Sequence, residues 1–140
     1  MIYLGSDHAG FVLKQGLIKH LESRGMEYTD CGCNGETVDY PDIAKLVCHN
    51  VLGGNENRGV LICGTGVGAS MAANRIKGIR AALCGDYYSA KYTRLHNDAN
   101  VICLGGRVLG AGLASELLEV FLNTEFEGGK HALRIEKLDS

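Results

Sequence analysis

Apolar residues occur in short continuous runs separated by stretches where they recur every three or four positions, and the two patterns alternate along the chain. Ile2-Tyr3-Leu4 is the first run, closed by Gly5 and followed by the polar Ser6-Asp7-His8. Beyond it Leu13, Leu17 and Leu21 mark one face of a helix, with Val12 and Ile18 beside them, Lys14, Lys19 and Glu22 opposite, and Gly25 as the stop. A second strand is predicted over about 26–31. After a Gly/Asn-rich loop, Tyr40-Pro41-Asp42 opens a helix carrying Ile43, Leu46, Val47 and Val51, which Gly53-Gly54 ends. Three further runs, 59–63, 80–84 and 100–104, are continuous rather than alternating, as in strands buried on both faces. Helices are predicted over 69–75, 87–95, 110–123 with Leu113, Leu117 and Phe121, and 130–138. Strands alternating with helices predict an α/β fold: a Rossmann-like three-layer sandwich with a five-stranded parallel sheet flanked by helices.

In such a sheet ligands bind beyond the carboxyl ends of the strands. The polar residues expected to converge there are Asp7-His8, the loop through Tyr40, Cys63 to Ser70, Asp86, and Gly105-Gly106-Arg107.

A chain of 140 residues makes one domain, 1–140, and excludes repeat arrays. With 14 Lys+Arg against 16 Asp+Glu, no overall field favours nucleic acid or an anionic membrane, so the expected partner is small. The longest apolar runs, such as 60–63, are too short to span a bilayer. The N-terminus carries Asp7 and lacks the basic flank and apolar stretch of a secretory signal, so a cytoplasmic location is expected. There the six cysteines are read as thiols, Cys84 and Cys103 as small buried hydrophobes. Twenty glycines predict tight turns where backbone approaches something closely.

The densest chemical signal is Cys63-Gly64-Thr65-Gly66-Val67-Gly68-Ala69-Ser70. Its G-x-G-x-G spacing after the third strand, with no Gly-Lys-Ser/Thr, matches neither the dinucleotide fingerprint nor the NTPase phosphate loop. Ala69 stands where a cysteine phosphatase would need arginine. What remains is a cysteine at a strand end facing the positive end of a helix, where a thiolate is favoured and suits a nucleophile or a base; the alternative is an ordinary core cysteine. Thr65 and the surrounding amides offer an oxyanion holder or a plain turn hydroxyl. His96 is a candidate general acid/base or a helix-end residue. Lys130 and Arg134, at i and i+4, form a phosphate clamp or a solvated basic helix end, with Arg107 as a further candidate. Asp7 also reads as a helix cap, and His8 as a partly buried histidine. Cys31-x-Cys33 lacks a second pair and the five histidines form no i, i+4 pair, so neither a metal nor any other cofactor is expected.

Six motifs in order, Gly5-Ser6-Asp7-His8-Ala9-Gly10, Asp39-Tyr40-Pro41-Asp42, Ile62-Cys63-Gly64-Thr65-Gly66-Val67-Gly68, Gly78-Ile79-Arg80-Ala81, His96-Asn97-Asp98-Ala99-Asn100 and Gly128-Gly129-Lys130-His131, give the chain its resemblance to a family. It resembles the sugar-phosphate isomerases that include ribose-5-phosphate isomerase B and galactose-6-phosphate isomerase. The resemblance implies a metal-free aldose–ketose isomerase interconverting ribose 5-phosphate and ribulose 5-phosphate through an enediolate, as in the pentose phosphate pathway. By it Cys63 is the base, and Thr65 with the amides of Gly64, Gly66 and Gly68 stabilises the enediolate. His96 opens the sugar ring with help from Asp7, and Asn97 and Tyr40 contact the sugar. His8, Arg107, Lys130, His131 and Arg134 bind the phosphate. It also implies a homodimer with the site between subunits, often paired into a tetramer. Lys130 departs from the family's usual arginine, keeping the charge but losing the bidentate fork. The rival readings are an isomerase of galactose or allose 6-phosphate, and a noncatalytic phosphosugar-binding module. Cys63, His96 and Gly-Gly-Lys-His on one chain favour the self-sufficient pentose enzyme.

Overall fold

The computed structural model describes residues 1–140. In chain order the elements are β1 (Ile2–Ser6), α1 (Phe11–Ser23), β2 (Tyr28–Asp30), α2 (Tyr40–Val51), β3 (Arg58–Cys63), α3 (Val67–Ala73), β4 (Ala81–Leu83), α4 (Tyr87–Asn97), β5 (Val101–Gly105), α5 (Ala111–Asn123) and α6 (Lys130–Asp139). The five strands form one parallel sheet in the order β2-β1-β3-β5-β4. The chain starts at β1, steps outward to β2, then crosses back to β3 on the other side. The point where the winding reverses therefore lies between β1 and β3, where a crevice opens at the carboxyl ends of the strands.

Alternation along the central strands divides the core in two. Ile2, Leu4, Val60, Ile62, Ile102 and Leu104 face α1 and α5, meeting Leu13, Leu17, Leu117 and Phe121. Leu61, Val101 and Cys103 face α2 and α3, meeting Ile43, Val47, Ala69 and Ala73. Strands β3 and β5 are thus covered on both sides, which is why their sequences run apolar without a break. The edge strands β2 and β4 have three residues each, shorter than the expected 26–31 and 80–84, and Leu83 on β4 is 44% exposed. The first strand, by contrast, continues to Ser6, because β3 pairs with it that far.

Helix α1 overturns part of the periodicity reading. Val12 is exposed, as are Leu46 on α2 and Leu113 on α5, whereas Lys14, expected on the solvent face, is completely buried. Its ammonium donates to Asp30 Oδ1 and to the Cys33 carbonyl, both at 2.6 Å. The reason lies in the loop after β2, whose backbone stays bonded to β1 beyond the end of the strand. Ser6 N donates to the Gly32 carbonyl at 2.7 Å and Cys33 N to the Ser6 carbonyl at 2.9 Å, so this loop is tied to the end of β1. The buried carbonyl of Cys33 needs a donor, and the Lys14 ammonium reaching in from α1 supplies it.

Lys14→Met keeps the side chain's length but leaves the Cys33 carbonyl without its donor and Asp30 Oδ1 with only the bond from Gly32 N, and is expected to cost about 2–3 kcal/mol of stability. The check is the urea midpoint at constant m-value; an unchanged midpoint would show that the lysine pins nothing.

Candidate active site

Cys63 is the last residue of β3 and is 5% exposed. The chain then turns through Gly64 and Thr65 into Gly66, whose φ of +81° only glycine adopts freely and which caps the seven-residue α3. This turn brings Gly66 N round to donate to the Cys63 sulfur at 3.2 Å. Val67 N donates to Thr65 Oγ1 at 3.2 Å, leaving that exposed hydroxyl's proton free to be given elsewhere. Gly68 lies in the first turn of α3, where a helix has no internal acceptor for its amide.

Three strand-end loops close on this turn. From β1, Asp7 N donates to the Ile62 carbonyl, and Asp7 Oδ1 accepts from Ala9 N at 3.0 Å and Gly10 N at 3.1 Å. Asp7 therefore closes the turn ahead of α1 rather than capping the helix, whose N-cap is Gly10 with no side-chain cap bond, and these bonds hold its carboxylate, 8% exposed, at the switch point. His8 beside it is exposed. From β5, Gly106 N donates to the Cys63 carbonyl at 2.8 Å and Arg107 N to the Gly64 carbonyl at 3.0 Å, which lays the Arg107 side chain over Gly64. From the start of α2, the Tyr40 ring covers Gly68 so closely that a Cβ there would stand 2.6 Å from it. Cys63, Thr65, the three loop glycines, Asp7, His8, Tyr40 and Arg107 thus share one end of the sheet. Asp86, expected among them, is spent on capping α4, accepting from Ser89 N at 2.9 Å and Ser89 Oγ at 2.7 Å.

The other predicted residues lie elsewhere. Helix α4 begins after β4 and runs back along the sheet, so His96 and Asn97 reach the amino-terminal edge, just before β5 starts at Val101. Val101 pairs beside Gly59, whereas Gly105 pairs beside Cys63. Those four residues of strand separate the two ends by about 13 Å at 3.3 Å per residue. Glu127 N donates to the Leu95 carbonyl at 3.0 Å, and Gly128 and Gly129, with φ of +75° and +61°, fold α6 back onto α4. His131 is buried there and its ring stacks on that of His96, centroids 4.0 Å apart and planes at 12°. Tyr92 meets the His96 ring edge-on at 5.0 Å, and Glu127 Oε2 lies 3.8 Å from His96 Nε2. His96, Asn97, His131 and Arg134 line one shallow cavity, with Lys130 exposed at the head of α6. Neither Glu127 nor Tyr92 was singled out from the sequence. Tyr92 carries a signal in its i, i+4 spacing to His96, while only the turn of Gly128-Gly129 reveals Glu127.

The remaining cysteines behave as core. Burial pushes the Cys48 thiol up to about 12 and, with Asp86 adding to it, Cys84 to about 11; Cys103 is raised by burial as well. All six are unpaired thiols. Cys63 is the one at a strand end whose sulfur accepts a backbone amide.

A parallel sheet with a glycine-rich turn, a cysteine and a carboxylate at its switch point defines an α/β protein whose candidate site lies at the carboxyl end of the sheet. Residues 2–138 match the family described as Ribose/Galactose Isomerase, and the chain belongs to that family of isomerases. It is 46% identical to ribose-5-phosphate isomerase B of Escherichia coli over 138 residues, 98% of this chain and 93% of that one. It is 43% identical to the D-erythrulose-4-phosphate isomerase of Pectobacterium atrosepticum, over 98% and 91% of the two chains. Ribose-5-phosphate isomerase B of Mycoplasma genitalium, solved with bound ribulose-5-phosphate, superposes with a TM-score of 0.94 at 40% identity, covering 99% of this chain and 93% of that one. No helix is long and apolar enough to cross a membrane.

Burial lowers the basicity of His131; the neighbouring His96, Lys130 and Arg134 act in the same direction, against Glu127. A histidine held neutral when folded binds fewer protons than when unfolded, so its contribution makes stability fall as pH drops below about 6.5. The thermal midpoint of the wild type should therefore drop more steeply than that of His131→Phe between about pH 7.5 and 5.5. Parallel pH profiles would show that the buried imidazole is not held neutral.

Proposed function

We propose that this chain interconverts ribose 5-phosphate and ribulose 5-phosphate, with Cys63 as the base and a site shared between two subunits. The observation that carries the reading is the Cys63 turn beside Asp7 at the switch point, in a chain of this family. In the open-chain aldose, the Cys63 thiolate takes the proton from C2. The electron pair moves toward the C1 carbonyl, whose oxygen becomes the enediolate oxygen held by the Thr65 hydroxyl and by loop amides. Returning the proton from Cys63 to C1 while the O2 proton passes to O1 makes C2 the carbonyl and O1 the hydroxyl, which is the ketose. A base and an oxyanion holder are the two things such a transfer needs, and charge on sulfur strengthens the bond donated by Gly66.

Ring opening falls to His96 aided by Asp7, with Asn97 and Tyr40 on the sugar. His96 and Asn97 stand at the opposite end of their own sheet from Cys63, so these groups meet when the amino-terminal end of one subunit faces the carboxyl end of another. A homodimer with two composite sites satisfies this, and pairing of dimers into a tetramer is compatible with it. Each site then has a phosphate set drawn from both chains: His8 and Arg107 from one, Lys130, His131 and Arg134 from the other. Lys130 contributes charge without a bidentate fork.

The test is conversion of ribose 5-phosphate in the presence of a chelator, with erythrulose, galactose and allose phosphates alongside. Wild type should turn over the pentose without added metal, and Cys63→Ala should lose about a thousandfold in kcat. Intact turnover in Cys63→Ala would refute the base. Tight phosphosugar binding with no turnover of any substrate would establish a binding module instead.

A further inference from the structure

We propose that His96, Glu127 and His131 form a binding site for zinc or a divalent cation of similar softness, and that filling it blocks the isomerase. The blocking half rests on the ring-opening role given to His96 above; the binding half stands on the cluster itself. One nitrogen from each histidine and one Glu127 carboxylate oxygen all lie within 4.8 Å of one another. Tetrahedral ligands 2.0–2.1 Å from zinc sit about 3.3 Å apart, so side-chain movement on the order of 1 Å closes the set.

The three ligands differ in how firmly they are held. His131 is fixed by burial on α6 and its ring is stacked on that of His96 at 4.0 Å, so the two nitrogens meet at one ion when the more exposed His96 ring turns out of the stack. Glu127 has its backbone pinned to Leu95 but its side chain is 56% exposed, which leaves it room to swing in. A further position stays open for water, as in sites with two histidines and one glutamate. Imidazole and carboxylate donors suit zinc, whereas magnesium prefers an oxygen shell and should be ignored. The nitrogen nearest Glu127 is His96 Nε2, so an ion held there takes a lone pair that proton transfer to the sugar ring would use.

The ligands come from the end of α4, the turn before α6 and α6 itself, which is why their sequence spacing resembles no metal motif. The cation is not a cofactor in this reading, since turnover belongs to the empty site.

The experiment titrates Zn2+ into metal-free wild type, Glu127→Gln and Cys63→Ala by calorimetry, records the visible spectrum of the Co2+ forms, and follows isomerisation with zinc or with chelator. Glu127 lies outside the proposed catalytic groups. The expected result is one zinc per chain, bound equally by Cys63→Ala and at least about tenfold more weakly by Glu127→Gln, whose turnover in chelator matches wild type. Zinc inhibition should shift by the same factor, and magnesium should have no effect. Affinity unchanged in Glu127→Gln, lost in Cys63→Ala, or accompanied by a thiolate-to-cobalt charge-transfer band would overturn the site. Zinc held by the triad with turnover undiminished would overturn the block and the role of His96. Absence of turnover in chelator would instead refute the isomerase reading while leaving the metal titration intact.

Discussion

Backbone touching backbone, with no side chain between, is the contact on which the carboxyl end of this sheet depends. A Cβ on Gly10 would collide with the Ile62 carbonyl. One on Gly106 would stand 2.8 Å from the Ala9 carbonyl, and one on Gly105 2.8 Å from that of Thr65. The loops leaving β1, β3 and β5 therefore press together as bare chain, and their amides and carbonyls bond one another rather than water. That closeness sets the position of Cys63, and it brings Asp7 and Arg107 to the turn from either side. Any methyl group at these three positions would push the loops apart by more than hydrogen bonds between them tolerate.

Around this junction the rest of the fold acts as support. The switch in winding direction leaves the crevice between β1 and β3 open, and the doubly covered β3 and β5 hold it rigid from below. Lys14 extends the same support sideways, tying the loop after β2 to α1 and so to the end of β1. A buried lysine is an expensive way to hold a loop, and it is tolerated because both its partners are oxygens in direct contact.

Much of this was legible in the sequence, because the signals that carry it are local. Continuous apolar runs mark β3 and β5, and the Gly/Cys/Thr composition of 63–68 marks the turn. Side-chain direction on α1 was less legible. Periodicity places Lys14 outside by its charge, and only the three-dimensional need of the Cys33 carbonyl turns it inward. Val12, Leu46 and Leu113 err the other way, since an apolar residue beside a core face costs little when left in water. Least legible was the division of the candidate site. Residues in motif order along a chain carry no mark of which end of the sheet they reach, and His96 follows from the direction of α4 alone. Glu127 was invisible for the same reason, as it joins His96 and His131 through the turn at Gly128-Gly129.

That division makes the central claim a claim about assembly: the base at the carboxyl end of one sheet works with the ring-opening histidine at the amino end of another. Its direct test is to mix Cys63→Ala and His96→Ala proteins, each inactive alone, under conditions that let subunits exchange. In a two-fold dimer half the molecules become mixed, and each of these holds one intact site and one doubly broken one, so about a quarter of wild-type turnover should return. A mixture that exchanges subunits and stays inactive would contradict the account and place both residues in a site within a single chain.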